Sequence, residues 1–107
     1  MLIFPLKKEW YEKIKSGEKT IEYREVKRYW TRRLERAEFS GGGMHWDFER
    51  KLYVFDNFSA PCFFRLGYTK DTLEAWITKI DIVDGKDTDL HIDKPVYAIH
   101  FYLQNNM

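Results

Sequence analysis

Cysteine is nearly absent: Cys62 is the one cysteine among 107 residues. No internal disulfide can form, which suits a reducing, cytoplasmic setting. Within the apolar run Cys62-Phe63-Phe64, a small buried side chain is the expected role for it. The three histidines, His45, His91 and His100, are dispersed, and no Cys/His spacing resembles a zinc site, so neither metal nor cofactor is expected. No apolar run approaches the ~20 residues that a membrane-spanning helix requires. Lys7, Lys8 and Glu9 interrupt the apolar start, so no signal-peptide pattern is present.

What is abundant is aromatic surface. Phe, Trp and Tyr make up 18% of the chain and hydrophobic residues 44%, enough for one folded domain spanning residues 1–107. So many rings suggest uses beyond core filling, namely base stacking or a ligand pocket. Net charge is only +1, yet it is unevenly spread. From Lys7 to Arg36 there are 11 Lys and Arg against 6 Asp and Glu; from Asp71 to Lys94 there are 3 against 7. This imbalance is compatible with a polyanion-facing side, though by itself it favours a mixed solvated surface.

The order of elements predicts an α+β fold. Leu2–Phe4 reads as a strand closed by Pro5, and Lys7–Ser16 as a helix with Leu6, Trp10 and Ile14 on its buried stripe. Glu25–Glu38 reads as a second helix carrying Val26, Trp30, Leu34 and Ala37 inward. On another side Arg28, Arg32 and Arg36 recur at four-residue spacing, either to grip phosphates or as a solvated face paired with Glu25 and Glu35. Ser40–Gly43 predicts a mobile loop, and Met44–Phe48 an aromatic tip that closes over a ligand or re-enters the core. Strands follow at Lys51–Phe58, Cys62–Leu66, Leu73–Val83 and Val96–Leu103, with an acidic loop at Asp87–Lys94 and a polar tail at Gln104–Met107. Late strands at short spacing predict a small curled or closed mixed barrel, with two or three helices packed at its ends. His100, on the strand face with Val96 and Ala98, is expected to be a hydrogen-bonded core residue.

The most informative stretch is Ser16–Arg24. Gly17 can end a helix in the left-handed conformation. Alternation after it sends Thr20, Glu22 and Arg24 one way and Ile21 and Tyr23 the other, the latter as the apolar, core-facing side. A carboxylate and a guanidinium two residues apart, with Lys19 just before them, fit either a solvated edge or a polar cleft.

Gly17-x-Lys19-x-x-Glu22-x-Arg24 resembles the G-x-K-x-x-E-x-R signature of the ASCH domain family, small β-barrels similar to the PUA fold. Lys8–Ser16 resembles that family's first helix, Arg65-Leu66-Gly67-Tyr68 a later strand-end turn, and Val96–Leu103 its last strand; Gly41–Phe48 is the least matched part. The resemblance implies a PUA-like barrel with the motif lining a cleft, and RNA binding or processing as the function. One branch looks like an amidohydrolase of an acetylated cytosine nucleoside, another like a ribonuclease. The amidohydrolase branch's lysine matches Lys19, but a threonine of that branch is replaced here by Glu22, and Glu74 is the one candidate for its downstream glutamate.

Two functional classes follow, with a third left open. As an RNA- or nucleotide-binding module, the chain would use Gly17, Lys19, Thr20, Glu22, Arg24, Arg28 and Arg32, with Lys19 and the arginines on phosphates and Tyr23, Tyr68 and Trp46 for stacking. As a small hydrolase on a modified nucleoside or on RNA, it would use Lys19 as base or electrostatic stabiliser and Glu22 as its partner. A structural Lys19–Glu22–Arg24 ion-pair network is the alternative to that catalytic role. The third class is a protein-interaction domain, with an apolar patch near Trp46 and Phe48 as its mark.

Overall fold

The computed structural model describes residues 1–39 and 41–104. Its elements are β1 (Ile3–Leu6), α1 (Lys8–Lys15), β2 (Ile21–Glu25), α2 (Arg28–Ala37), β3 (Met44–Asp47), β4 (Leu52–Phe55), β5 (Ala60–Leu66), β6 (Thr72–Asp84) and β7 (Pro95–Leu103). A short 3-10 turn at Gly85–Asp87 precedes the last strand. Five strands form one sheet in the order β1-β5-β6-β7-β2, and β3 pairs with β4 as a separate hairpin. The β1–β5 pair is parallel and the remaining pairs are antiparallel. The fold is α+β, with a curled five-stranded half-barrel and two helices, as the element order predicts.

A bulge helps the sheet curl. In the β6–β7 ladder Ile77 pairs with Phe101 and Lys79 with His100, so Thr78 is an extra residue on β6. Such an insertion increases local twist and switches the side-chain parity. Before it, Ala75 and Ile77 are the inward residues; after it, Ile80 and Ile82 take over. The break in apolar spacing between Ile77 and Ile80 is the trace of this bulge in the sequence.

The concave face of the sheet is filled with rings. Phe4 stacks on Trp30 and Phe64 at centroid distances of 5.3 and 5.5 Å, and Phe64 meets Phe101 at 4.5 Å. Trp30 and Leu34 project from α2 into this core, with Val26 and Ala37 partly buried beside them, in agreement with the predicted stripe. Full burial of each such side chain contributes roughly 1.5–3 kcal/mol. Thr31 and the buried Tyr97 share a hydrogen bond of 2.6 Å that fixes α2 on β7. Burial pushes the Tyr97 hydroxyl above its ordinary pKa, and the Thr31 bond opposes that shift. On α1 the buried residues are Tyr11 and Ile14. Trp10, expected on the buried stripe, is half-buried and faces the cleft described below, and its neighbour Tyr11 takes the buried position.

Several expectations change. Met44–Phe48 neither re-enters the core as a unit nor covers the motif: Met44–Asp47 is a strand paired in register with Leu52–Phe55. The hairpin turn is tightly closed, since the Asp47 carboxylate accepts from the Glu49 and Arg50 amides at 3.0 and 3.1 Å and from Arg50 Nε at 2.7 Å. In the predicted mobile loop, Gly42 is needed for close packing, because a Cβ there would collide with the Asp56 and Asn57 carbonyls. Ser40 lies outside the described residues, as does the tail from 105 onward. His100 is hydrogen-bonded, through Nε2 to Asp81 at 3.0 Å, but its side chain is 32% exposed, so it is not a core residue. Pro61 belongs to β5, where β1 pairs only from Phe63 onward and no N–H is demanded on that flank. Among the described residues, no helix is long and apolar enough to cross a membrane.

Candidate functional site

The two edges of the half-barrel are β1 and β2. The carbonyls of Leu2 and Leu6 accept from the Phe63 and Gly67 amides of β5 and the following turn, at 2.9 and 2.8 Å. By alternation, the Pro5 carbonyl faces the other way, into the gap between the edges. Arg24 of β2 bridges that gap, donating from Nη2 to the Pro5 carbonyl at 3.3 Å. A side chain thus spans the seam, and the candidate site lies along it.

Gly17 sets the approach. It ends α1 with φ +86°, and the Lys19 amide folds back onto the Lys13 carbonyl at 3.0 Å, which aims Lys19 at the seam. On β2 the expected polarity of the faces is reversed. Glu22 is the most buried residue of the strand, at 4% exposure, while Ile21 and Tyr23 are half-buried. The physical reason is the ion pairing that burial of a carboxylate requires. Glu22 Oε1 lies 3.1 Å from Lys19 Nζ, and Oε2 accepts from Arg24 Nε and Nη2 at 3.0 and 2.7 Å. The Arg24 guanidinium also rests against the rings of Trp30 and Phe4, at 4.8 and 5.2 Å from their centroids. Cation–π contact of this kind is strongest where water is excluded.

A fourth charged residue completes the cluster. Asp89 Oδ2 pairs with Lys19 Nζ. It comes from the acidic loop, which is held by a compact set of bonds. Asp84 accepts from the Lys86 amide at 3.0 Å, the buried Thr88 hydroxyl donates to the Gly85 carbonyl at 2.9 Å, and Gly85 donates to the Lys94 carbonyl at 2.8 Å. Gly85 is required there by space rather than by φ: a Cβ would stand 2.7 Å from the Ile92 and Lys94 carbonyl oxygens.

The walls of the cleft are aromatic. Lys19 Nζ sits 4.7 Å from the Trp10 centroid and 5.6 Å from that of Tyr23. The cavity has a volume of about 320 Å³ and is lined by Trp10, Lys19, Glu22, Tyr23, Arg24 and Asp89, with Pro5–Lys7 along one edge. That size is near the lower end of small-molecule sites. The cluster of Lys19, Arg24, Glu22 and Asp89 sums to zero, and Lys7 at the edge adds one positive charge. Hydrogen-bonding capacity remains in the cleft: Lys19 Nζ donates a hydrogen bond to Asp89 Oδ2 alone, while Asp89 Oδ1 and Arg24 Nη1 have no partner among the described residues. Below the cleft, burial and the Glu22 charge push the Cys62 thiol up to about 12.

The structure therefore brings Lys19, Glu22 and Arg24 together, as an ion-pair network, and adds three residues that sequence reasoning did not assign to the site: Trp10, Pro5 and Asp89. Tyr23 is a cleft wall rather than a core ring. Thr20 is exposed at the rim, in a shallow depression shared with Trp10, Lys19 and Asp89. Arg28, Arg32 and Trp46 lie together in a different groove, between α2 and the β3–β4 hairpin. Tyr68 is 89% exposed on the turn after β5, beneath the Arg65 guanidinium, and lines neither cavity. Glu74 is exposed on β6, away from the cleft. The one signal that could have located Asp89 is local: Asp84-Gly85 followed by Thr88 is a tight-turn pattern, and such a turn presents its next side chain in a defined direction.

Compared with known families, curated proteins and solved structures, the chain has no match in any of the three.

Proposed function

We propose that the seam cleft binds a nucleobase or nucleoside, and that the chain is an RNA- or nucleotide-binding domain of the ASCH type with a PUA-like barrel. The observation that carries this reading is the open valence of the Lys19–Asp89 pair. Lys19 Nζ has donor capacity to spare and Asp89 Oδ1 an open acceptor, on a pair whose lysine end lies against the rings of Trp10 and Tyr23. A neighbouring donor and acceptor match an amide-like edge, the pattern that nucleobases present, and the rings offer stacking faces. A neutral polar ring suits the ion-paired cluster of Lys19, Arg24, Glu22 and Asp89, whose own charges balance. Lys19 and Arg24, expected to hold phosphates, are instead engaged by carboxylates, so they orient the site rather than supply net positive charge.

A second reading, a hydrolase acting on a modified nucleoside or on RNA, draws on the same pair. Asp89 would deprotonate a water while Lys19 stabilised the developing oxyanion. One experiment addresses both readings. Nucleosides, N-acylated nucleosides and short RNAs are titrated against wild type, Lys19→Ala and Asp89→Asn, with binding read by equilibrium dialysis and products by mass. Binding that weakens about tenfold or more in Asp89→Asn is expected, the scale of one hydrogen bond to a charged group. New product lost in both variants would favour the hydrolase. Undiminished binding in both variants would overturn the cleft assignment.

A further inference from the structure

The groove between α2 and the β3–β4 hairpin differs from the seam cleft in its charge. Its cavity, about 490 Å³, is lined by Lys27, Arg28, Arg32 and Lys51 against a single carboxylate, Glu35. Among the described residues none of these five side chains forms an ion pair. The expected partners are elsewhere: Glu25 reaches Lys94 at 3.7 Å, and Glu35 lies beyond pairing distance of the arginines. Arg28 and Arg32 stand one turn apart on an exposed helix face, so their guanidiniums form a row.

The opposite wall is aromatic and firmly placed. Trp46 and Tyr53 are cross-strand partners in the hairpin, packed edge to face at 4.9 Å, and are 39% and 40% exposed. The closed Asp47 turn holds their strands in register, and Lys51 occupies a left-handed conformation, φ 57°, at the end of that turn. Rigid half-exposed rings facing unpaired cations are complementary to a ligand that carries both phosphates and planar bases.

We propose that this groove is a second site, one that binds single-stranded nucleic acid, with Lys27, Arg28, Arg32 and Lys51 on the phosphates and Trp46 stacked on an unpaired base. A double helix keeps its base faces stacked and hidden, so the aromatic wall favours a single strand. The site stands on its own residues. It also bears on the seam cleft, and this step rests on the nucleobase reading of that cleft: Arg24 lines one cavity and Val26 the other, and two residues span at most about 7 Å. A strand lying in the groove would have the cleft within reach of a neighbouring base, so that one nucleic acid chain engages both sites.

The test is fluorescence anisotropy with labelled RNA and DNA single strands of about ten nucleotides. A matching duplex, a polyglutamate peptide and vesicles containing anionic lipid serve as competitors. Three to four phosphate contacts predict a slope of log affinity against log salt of about −2 to −3. The double variant Arg28→Gln, Arg32→Gln is expected to reduce that slope by about 1.4, and Arg28→Lys, Arg32→Lys to preserve it. Both positions are exposed, so neither variant touches the core. Trp46→Ala is expected to weaken binding about tenfold or more with the slope unchanged. Strand affinity indifferent to the Arg28, Arg32 and Trp46 changes would overturn the proposal, as would equal or better competition by the duplex, the acidic peptide or the vesicles. Groove-dependent strand binding without nucleoside binding in the cleft would retain this site and remove the cleft reading. Nucleoside binding alone would do the reverse.

Discussion

Replacing Glu22 with Gln tests whether the seam is organised by a buried carboxylate. The change preserves shape, so no cavity term enters. What is lost is the charge facing three donors: Lys19 Nζ at 3.1 Å and Arg24 Nε and Nη2 at 3.0 and 2.7 Å. Removing one partner of a buried ion pair costs about 3–5 kcal/mol when nothing compensates. Here two compensations exist. Lys19 keeps Asp89, and Arg24 keeps the Pro5 carbonyl and the faces of Phe4 and Trp30. The two cationic side chains also retain 12% and 18% exposure. The expected loss is therefore about 2–3 kcal/mol by urea unfolding, or roughly 10 °C in Tm for a domain of this size. The control is Glu18→Gln, which breaks the exposed Lys13–Glu18 contact at 3.8 Å and is expected to cost under about 0.5 kcal/mol. Because the network is buried, the difference between the two variants should survive about 1 M salt. If Glu22→Gln costs no more than Glu18→Gln, the reasoning fails: Glu22 would be a solvated strand residue and the seam would have another organiser.

Three further outcomes follow from the geometry. Gly85→Ala would press a methyl group on the Ile92 and Lys94 carbonyls, so a loss of about 1–3 kcal/mol is expected in thermal melts, together with displacement of the Asp89 loop seen as lost protection of its amides in hydrogen exchange. Cys62, with its thiol pushed up to about 12, should resist thiol reagents near neutral pH until the protein unfolds, and labelling on the native timescale would contradict its burial. The same shift has a sign in stability: the unfolded thiol loses its proton near its ordinary value of 9.0 while the native one keeps it to about 12, so stability is full below that window and falls through it. Comparing urea midpoints of wild type and Cys62→Ala across that range should show the variant's alkaline slope shallower, by up to about 1.4 kcal/mol per pH unit.

The helices and the late strands were legible because their apolar spacing matches the period of the element, as Trp30 and Leu34 illustrate on α2. The motif was legible as a cluster, since Lys19, Glu22 and Arg24 are neighbours in sequence and meet in one cleft. Which face of β2 points inward was not. Alternation assigns the apolar residues to the core, whereas ion pairing makes Glu22 the buried one, and that depends on Asp89 and on the ring faces of Phe4 and Trp30, all distant in sequence. Asp89 itself looked like one more solvated carboxylate of an acidic loop. The bulge at Thr78 and the short strand Met44–Asp47 were missed because each breaks or falls below the length at which periodicity carries information. Chemistry alone groups Trp46 with the motif, whereas the hairpin places it in the groove beside Arg28 and Arg32.

The most direct test of the seam cleft is an amide and indole NMR titration of the intact chain with free nucleosides, at high salt to suppress the basic groove. Nucleoside binding in the seam predicts saturable shifts at the Trp10 indole and at the amides of Lys19–Arg24 and Asp89, with Trp46 and Arg28–Arg32 unmoved. Shifts confined to the α2–hairpin groove, or none at any concentration, would contradict it.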